Sequence, residues 1–303
     1  MRSRFVLVDV FADRPLAGNP LAVFPQAEGL EESALQAIAR EMDHPATAFL
    51  FPANLAGAAF RLKIFSRERE IPFAGHPALG AHFVAAIESG LPLQEPVTRV
   101  AHEGHEGLVH VEFKVERGQI EMLRLEQRPP ETGPRLSAEE VARVARAMGL
   151  EEEEIAATNQ PVRVVSTGLP ALIVPVSTLD ALANARPRYA ELREILDGRE
   201  ATLVYAFTKE TRDSRSAAHA RAFDTVGSAE IPGAGAAAGA LAAFLVSQAA
   251  VRVLPVTQLV IEQGHVLSRP STLHAEVRVE EGAVTRVTVG GRVVRVGEGA
   301  LEV

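Results

Sequence analysis

The sequence predicts an α+β protein of two pseudo-symmetric lobes, each a curled, mostly antiparallel sheet around one central helix. Three observations carry this prediction. Sliding the chain by 160 residues places Arg61 on Arg221, Glu70-Ile-Pro72 on Glu230-Ile-Pro232, Ala74-Gly75 on Ala234-Gly235 and Ala78 on Ala238, seven identities in 18 ungapped positions. A period this long marks a repeated domain rather than a solenoid unit. In both halves several short strand-like runs accompany one long helical stretch. Finally, 303 residues, 47% of them apolar, give two domains of ordinary size enough material for separate cores.

The elements follow in order. Phe5 to Phe11 alternates as a strand, turns through Ala17-Gly-Asn-Pro20 and returns as Leu21 to Phe24. A helix is expected from about Ser33 to Met42, with Ala34, Leu35, Ile38 and Ala39 at helical spacing and Ser33 as its N-cap. Ala48–Phe51 and Phe60–Phe65 read as strands, and Pro77–Ile87 as the first long helix. Ser137 to Leu150 is a helix between the halves, opened by the capping box Ser137-Ala-Glu-Glu140. Glu151 to Glu154 reads as a solvated acidic turn.

The second half repeats the order. Val162–Val165 and Leu172–Val176 form a hairpin around Gly168-Leu-Pro170, Tyr189–Leu196 a short helix, Thr202–Phe207 and His219–Phe223 strands, and Ala236–Gln248 the long helix. Strands at Gln258–Glu262, Thr272–Glu280, Val284–Val289 and Arg292–Val296 complete the chain. The expected boundaries are a first lobe over 1–125, a connecting segment over 126–149 and a second lobe over 150–275. The terminal strands 276–303 are expected to return to the first lobe.

Composition narrows the function classes. A net charge of -8 argues against nucleic acid or an anionic membrane as partner. With no cysteine, disulfides, thiolate metal sites and thiol nucleophiles are excluded. No secretion-type segment opens the sequence, so the expected location is cytoplasmic. Ile231–Val251 is uncharged and Gly235-Ala-Ala-Ala-Gly239 is a formal GxxxG, but its Ala and Gly content with Pro232, Ser247 and Gln248 reads as a helix buried in a soluble domain. Gly233–Gly239 has the wrong spacing for a dinucleotide fingerprint and no acidic residue about 20 positions on. His102, His105 and His110 fit no zinc spacing and read as residues near a solvated, glycine-rich turn. No metal and no cofactor are expected.

The repeat also suggests chemistry. In each half a strand runs into Glu-Ile-Pro, then a glycine turn, then a helix. The first N–H groups of a helix lack partners and carry the positive end of its dipole, which makes an anion seat. Two such seats facing one cleft would grip a small carboxylate through Gly75, His76, Gly235, Ala236 and Ala237. At a helix start the charged form of His76 is disfavoured, so a neutral imidazole is expected.

Several islands then become specific: Val8-Asp-Val-Phe11 with Gly18-Asn-Pro-Leu-Ala-Val23, Glu70-Ile-Pro-Phe-Ala-Gly-His-Pro77 with Leu79-Gly80, Arg221-Ala-Phe223, Gly239-Ala-Leu241, and Gln263-Gly264 with Arg269-Pro-Ser271. Through them the chain resembles the phenazine-biosynthesis isomerase (PhzF-like) family. The resemblance implies a diaminopimelate epimerase-like fold and a cofactor-free homodimer that shifts a proton within a small cyclic carboxylic acid. Carried over residue by residue, the family's catalytic glutamate falls on Ala46, its aspartate on Ile231 and its serine on Ala236, while its histidine is kept as His76. Three readings stay open: an isomerase with other acid–base groups, a binder of a small anion, or a scaffold of the same fold. The nearest replacement groups are Asp43, His44, Asp224 and Glu230.

Overall fold

Val6, Val8 and Val10 are the inward-facing residues of β1 (Arg2–Val10), the first strand of a computed structural model that describes residues 2–72, 75–105 and 107–303. Phe73 and Ala74, part of the first glycine turn, lie outside the described residues. Contacts divide the chain into two compact units, Met1–Glu126 with Gly290–Val303, and Gln127–Val289.

In the first unit β2 (Asn19–Phe24) runs antiparallel to β1. Helix α1 (Glu32–Met42) leads into β3 (Thr47–Phe51), parallel to β2, and β4 (Ala58–Phe65) returns antiparallel. β5 (Glu70–Ile71) folds back on β4. After α2 (Gly75–Ser89), β6 (Val97–Gly104) lies parallel to β4 and continues into the antiparallel β7 (Gly107–Glu116) and β8 (Gln119–Gln127). Helix α2 packs on β1, β2, β3, β4 and β7 and buries Ala78, Leu79, Ala81, His82, Val84 and Ala85. Leu35 and Ile38 of α1 close over Phe24, Phe49 and Phe65, whose rings pack at 5.0 and 5.7 Å between centroids.

The second unit begins with β9 (Glu131–Arg135), α3 (Ala138–Met148) and α4 (Glu152–Ala156). It then runs through the same kinds of pairing as the first. β10 (Arg163–Ser166) and β11 (Pro170–Pro175) form a hairpin, and helices α5 (Leu179–Asn184) and α6 (Tyr189–Leu196) lead to β12 (Leu203–Thr208), parallel to β11. β13 (Ala218–Asp224) and β14 (Ala229–Ile231) follow antiparallel. After α7 (Gly235–Ser247), β15 (Val256–Gln263) lies parallel to β13 and pairs with β16 (Ser271–Glu280). β17 (Ala283–Gly291) comes next, and β18 (Val293–Glu302) pairs antiparallel with β1.

Helix α7 is apolar on every side, as a helix enclosed by its own sheet must be. Every residue of it except Ala236 and Ser247 is buried, and it packs on β10, β11, β12, β15 and β16. A second apolar cluster joins Val144 and Met148 of α3, Leu182 of α5 and Leu192 and Leu196 of α6 to Val204 and Phe223. Among the described residues no helix is long and apolar enough to cross a membrane.

Four local expectations change. Ser33 is not the cap of α1: the helix starts at Glu32 after Glu31, where acidic side chains suit the positive end of the dipole. Glu151–Glu154 opens α4 rather than forming a solvated turn, and the Glu154 carboxylate accepts the Glu151 N–H at 2.9 Å. His102 is no turn residue: it is 2% exposed, on β6, and stacks on Phe60.

The fourth change concerns the repeat. Phe223 pairs with Glu230, whereas Phe65 pairs with Glu70, so relative to the 160-residue shift the two hairpins differ in register by two residues. Lys63 therefore takes the place beside Glu70, at 3.9 Å, that Arg221 takes beside Glu230. Arg61 instead lies over the Phe51 ring at 5.0 Å. The Arg61/Arg221 identity does not carry one shared contact.

Candidate functional site

The turn into α7 is built from residues that cannot cap it. Ala234 stands at the N-cap with no side-chain acceptor, and Ala238 N–H bonds back to Ala234 O at 2.9 Å. The amides of Gly235, Ala236 and Ala237 have no acceptor among the described residues. Three N–H groups at the positive end of a 13-residue helix are what a carboxylate needs.

Two sets of buried side chains fix this turn. Gln263 Nε2 donates to Ile231 O at 2.6 Å, and Gln263 Oε1 accepts from Ala234 N–H at 3.2 Å and from Tyr205 Oη at 2.9 Å. Gln127 Nε2 donates to Gly235 O at 3.0 Å, and Thr167 Oγ1 lies 3.2 Å from Ala236 O. Gly239 has no room for a Cβ, because the Gln127 amide lies against it. Gly264 sits at φ +78°, and a Cβ there would overlap the Arg269 carbonyl oxygen and come within 2.6 Å of that of Pro232. Both obstacles are backbone. Gly264→Ala is therefore expected to cost about 3 kcal/mol or more from combined left-handed strain and overpacking, read by urea unfolding.

Helix α2 begins with Gly75 and His76, and Pro77 as its third residue has no N–H to leave unpaired. His76 is half-buried, yet its Nε2 is closed off and has no partner among the described residues. Burial pushes its pKa down to about 3, so the imidazole is neutral. Ala46 is 1% exposed just before β3, and Ile231 and Ala236 are half-buried at the end of β14 and the start of α7.

The replacement candidates have other occupations. Asp43 is the left-handed C-cap of α1 (φ 51°) and pairs with Arg67 at 2.8 Å. His44 is half-buried in the following connection. Asp224 Oδ1 accepts Val226 N–H at 2.9 Å inside its own hairpin turn. Glu230 is held by both arms of the Arg221 guanidinium, at 3.0 and 2.7 Å, with the two side chains 10% and 5% exposed. Arg221 Nη1 also donates to Leu182 O at 2.8 Å and Ala185 O at 2.9 Å.

Sequence reasoning missed the residues that hold the site. Tyr205, Gln127 and Thr167 belong to no motif, and Gln263 was visible only as part of Gln263-Gly264. A buried histidine–carboxylate pair and a pair of histidines were also missed. His219 Nδ1 lies 2.8 Å from Glu262 Oε2, and Glu262 accepts the Arg212 and Asp213 amides, clasping the loop after β12. His82 and His102 stand 5.0 Å apart in the first core, and burial lowers their pKa values to about 4 and about 3. Among the described residues no three His, Asp or Glu side chains are placed to hold a metal ion.

Known proteins agree with this architecture. The family model for phenazine biosynthesis-like proteins matches residues 8–299. An uncharacterized isomerase of Mesorhizobium japonicum is 34% identical over 309 residues, covering 98% of each chain. The trans-2,3-dihydro-3-hydroxyanthranilate isomerase of Pseudomonas fluorescens is 29% identical over 297 residues, again 98% of each. Among solved structures, a predicted epimerase from Pseudomonas aeruginosa superimposes with a TM-score of 0.81 at 35% identity over 99% of both chains. A hydroxyproline epimerase from Agrobacterium vitis, at 17% identity and a TM-score of 0.66 over 99% of this chain and 91% of its own, shares the fold. With its α+β architecture and a match across nearly its whole length, this chain belongs to the phenazine biosynthesis-like (PhzF) isomerase family.

Proposed function

We propose that this protein binds a small cyclic carboxylic acid on the amides that open α7, and that the carboxylate-driven proton shift implied by its family resemblance is absent. The observation that carries this reading is the Arg221–Glu230 pair. The carboxylate nearest the emptied Ile231 position is committed to a buried guanidinium, and Asp43 and Asp224 are likewise engaged. Ala46, Ile231 and Ala236 cannot exchange a proton. The amides of Gly235, Ala236 and Ala237 survive these replacements because they are backbone. His76, neutral at the start of α2, is the one family acid–base side chain kept. The ligand class follows the relative from Pseudomonas fluorescens, whose named substrate is a cyclic carboxylate. In this reading the protein acts in the cytoplasm as a homodimer and needs no cofactor.

The test is proton exchange in deuterated water with trans-2,3-dihydro-3-hydroxyanthranilate as probe. Saturable binding without deuterium incorporation at carbon above the buffer rate is expected, and incorporation would restore the isomerase reading. A positioned general base contributes about 10²–10⁴ in rate. Restoring the two side chains beside these amides (Ile231→Asp, Ala236→Ser) is accordingly expected to raise exchange by about 10²-fold or more.

A further inference from the structure

Gln263, at the end of β15, is wholly buried, as is Tyr205 on β12. Its amide reaches both ends of the segment that launches α7. It donates to Ile231 O and accepts from Ala234 N–H. Only one orientation satisfies both. The Ala234 N–H can only donate and the Ile231 carbonyl can only accept, so a flipped amide would set donor against donor and oxygen against oxygen. The Tyr205 hydroxyl donates to the same Oε1, and burial raises the phenol's pKa, so the hydroxyl keeps its proton. Both lone pairs of Oε1 are then occupied. The strand beneath is fixed in turn, with Gln263 in register with Ala220 of β13.

We propose that Gln263, oriented by Tyr205, is a positioning residue that fixes the segment entering α7 and so the place where the Gly235, Ala236 and Ala237 amides meet a bound carboxylate; this rests on the binding role proposed above. Three amides at a helix start hold an anion well only when their direction is set before it arrives, because ordering them at binding would consume affinity. One planar group pins the segment on its carbonyl side at Ile231 and on its amide side at Ala234. Gln127 and Thr167 meet the carbonyls of Gly235 and Ala236, which share peptide planes with the Ala236 and Ala237 N–H groups, whereas Gln263 fixes the entry at Ala234 from which the helix and its first amides start.

The test uses benzoate binding to the full chain, measured calorimetrically at pH 5 and pH 8, in the wild type, Gln263→Glu and Tyr205→Phe. A protonated glutamic acid reproduces the glutamine pattern of one donor and one acceptor. An ionised one turns an oxygen toward Ile231 O and brings negative charge to the seat. The Gln263→Glu variant is expected to bind within about twofold of the wild type at pH 5 and at least about tenfold more weakly at pH 8. Tyr205→Phe, which keeps the ring, is expected to weaken binding about threefold or more at both pH values while thermal unfolding stays cooperative. A Gln263→Glu to wild-type affinity ratio that does not change with pH would overturn the positioning role while leaving the binding site standing. If Gln263→Glu does not fold, Tyr205→Phe decides alone, and wild-type affinity in that variant overturns the proposal. A wild type that binds no benzoate overturns both the positioning role and the binding role beneath it.

Discussion

Arg221→Met is expected to destabilise the second unit by about 3–5 kcal/mol, the range for removing one partner of a buried ion pair. The arginine has four partners to lose. Both of its arms hold Glu230, and Nη1 satisfies the carbonyls of Leu182, Ala183 and Ala185. Methionine fills much of the volume, so the loss comes from charge and hydrogen bonding rather than from a cavity. The Glu230 carboxylate would be left without its cation. Urea unfolding at pH 7 reads the loss. Glu230→Gln should lower stability in the same sense yet leave carboxylate binding intact. A Glu230→Gln protein of normal stability that has lost binding would show that this carboxylate belongs to the ligand site after all.

The second large effect is acid sensitivity of the first core. His82 and His102 are 0% and 2% exposed, stay neutral in the fold down to about pH 4 and about pH 3, and titrate near 6.5 when unfolded. Above pH 6.5 neither state takes a proton at these positions, and their neutral burial carries no penalty. Below it the unfolded chain binds two protons that the folded chain cannot. Stability therefore falls as pH drops from 6.5 toward 4, with a slope of about 1.4 kcal/mol per pH unit for each histidine, or about 3 kcal/mol each by pH 4. Among the described residues His102 Nδ1 is buried without a partner, so it has no acceptor there to stabilise a charge. The double variant His82→Leu/His102→Leu should lose this slope between pH 6.5 and 4.5, where few carboxylates titrate. An unchanged slope would mean that the two rings reach water in the native state.

How far the sequence spoke for the structure depended on the range of the interactions involved. Tyr189–Leu196 and the Ser137–Glu140 capping box rest on neighbours within one turn, and both stand as read. The glycine turn into α7 was equally legible, because Ile-Pro-Gly-Ala-Gly cannot continue a strand and an alanine-rich run must become a helix. Ser33 misled because a capping residue and an acidic pair compete for the same few positions, and Glu31 and Glu32 start the helix earlier. The pairing of Tyr205 with Gln263 could not be read at all. They are 58 residues apart, and their contact exists only once β12, β13 and β15 have paired. The Arg61/Arg221 identity shows the reverse hazard, since a two-residue change of hairpin register puts Lys63 rather than Arg61 beside Glu70.

In the proposed reading, free backbone amides at the start of α7 receive a carboxylate although Ala46, Ile231 and Ala236 offer no acid–base side chain. Titrating ¹⁵N-labelled protein with benzoate and following the Gly235, Ala236 and Ala237 amide resonances tests it most directly. The account predicts saturable downfield shifts of these three signals, the mark of N–H groups gaining an anionic acceptor, while the Ala234 amide, already bonded to Gln263, moves little. Shifts confined to other residues, or three resonances that stay in place at saturating benzoate, would contradict it.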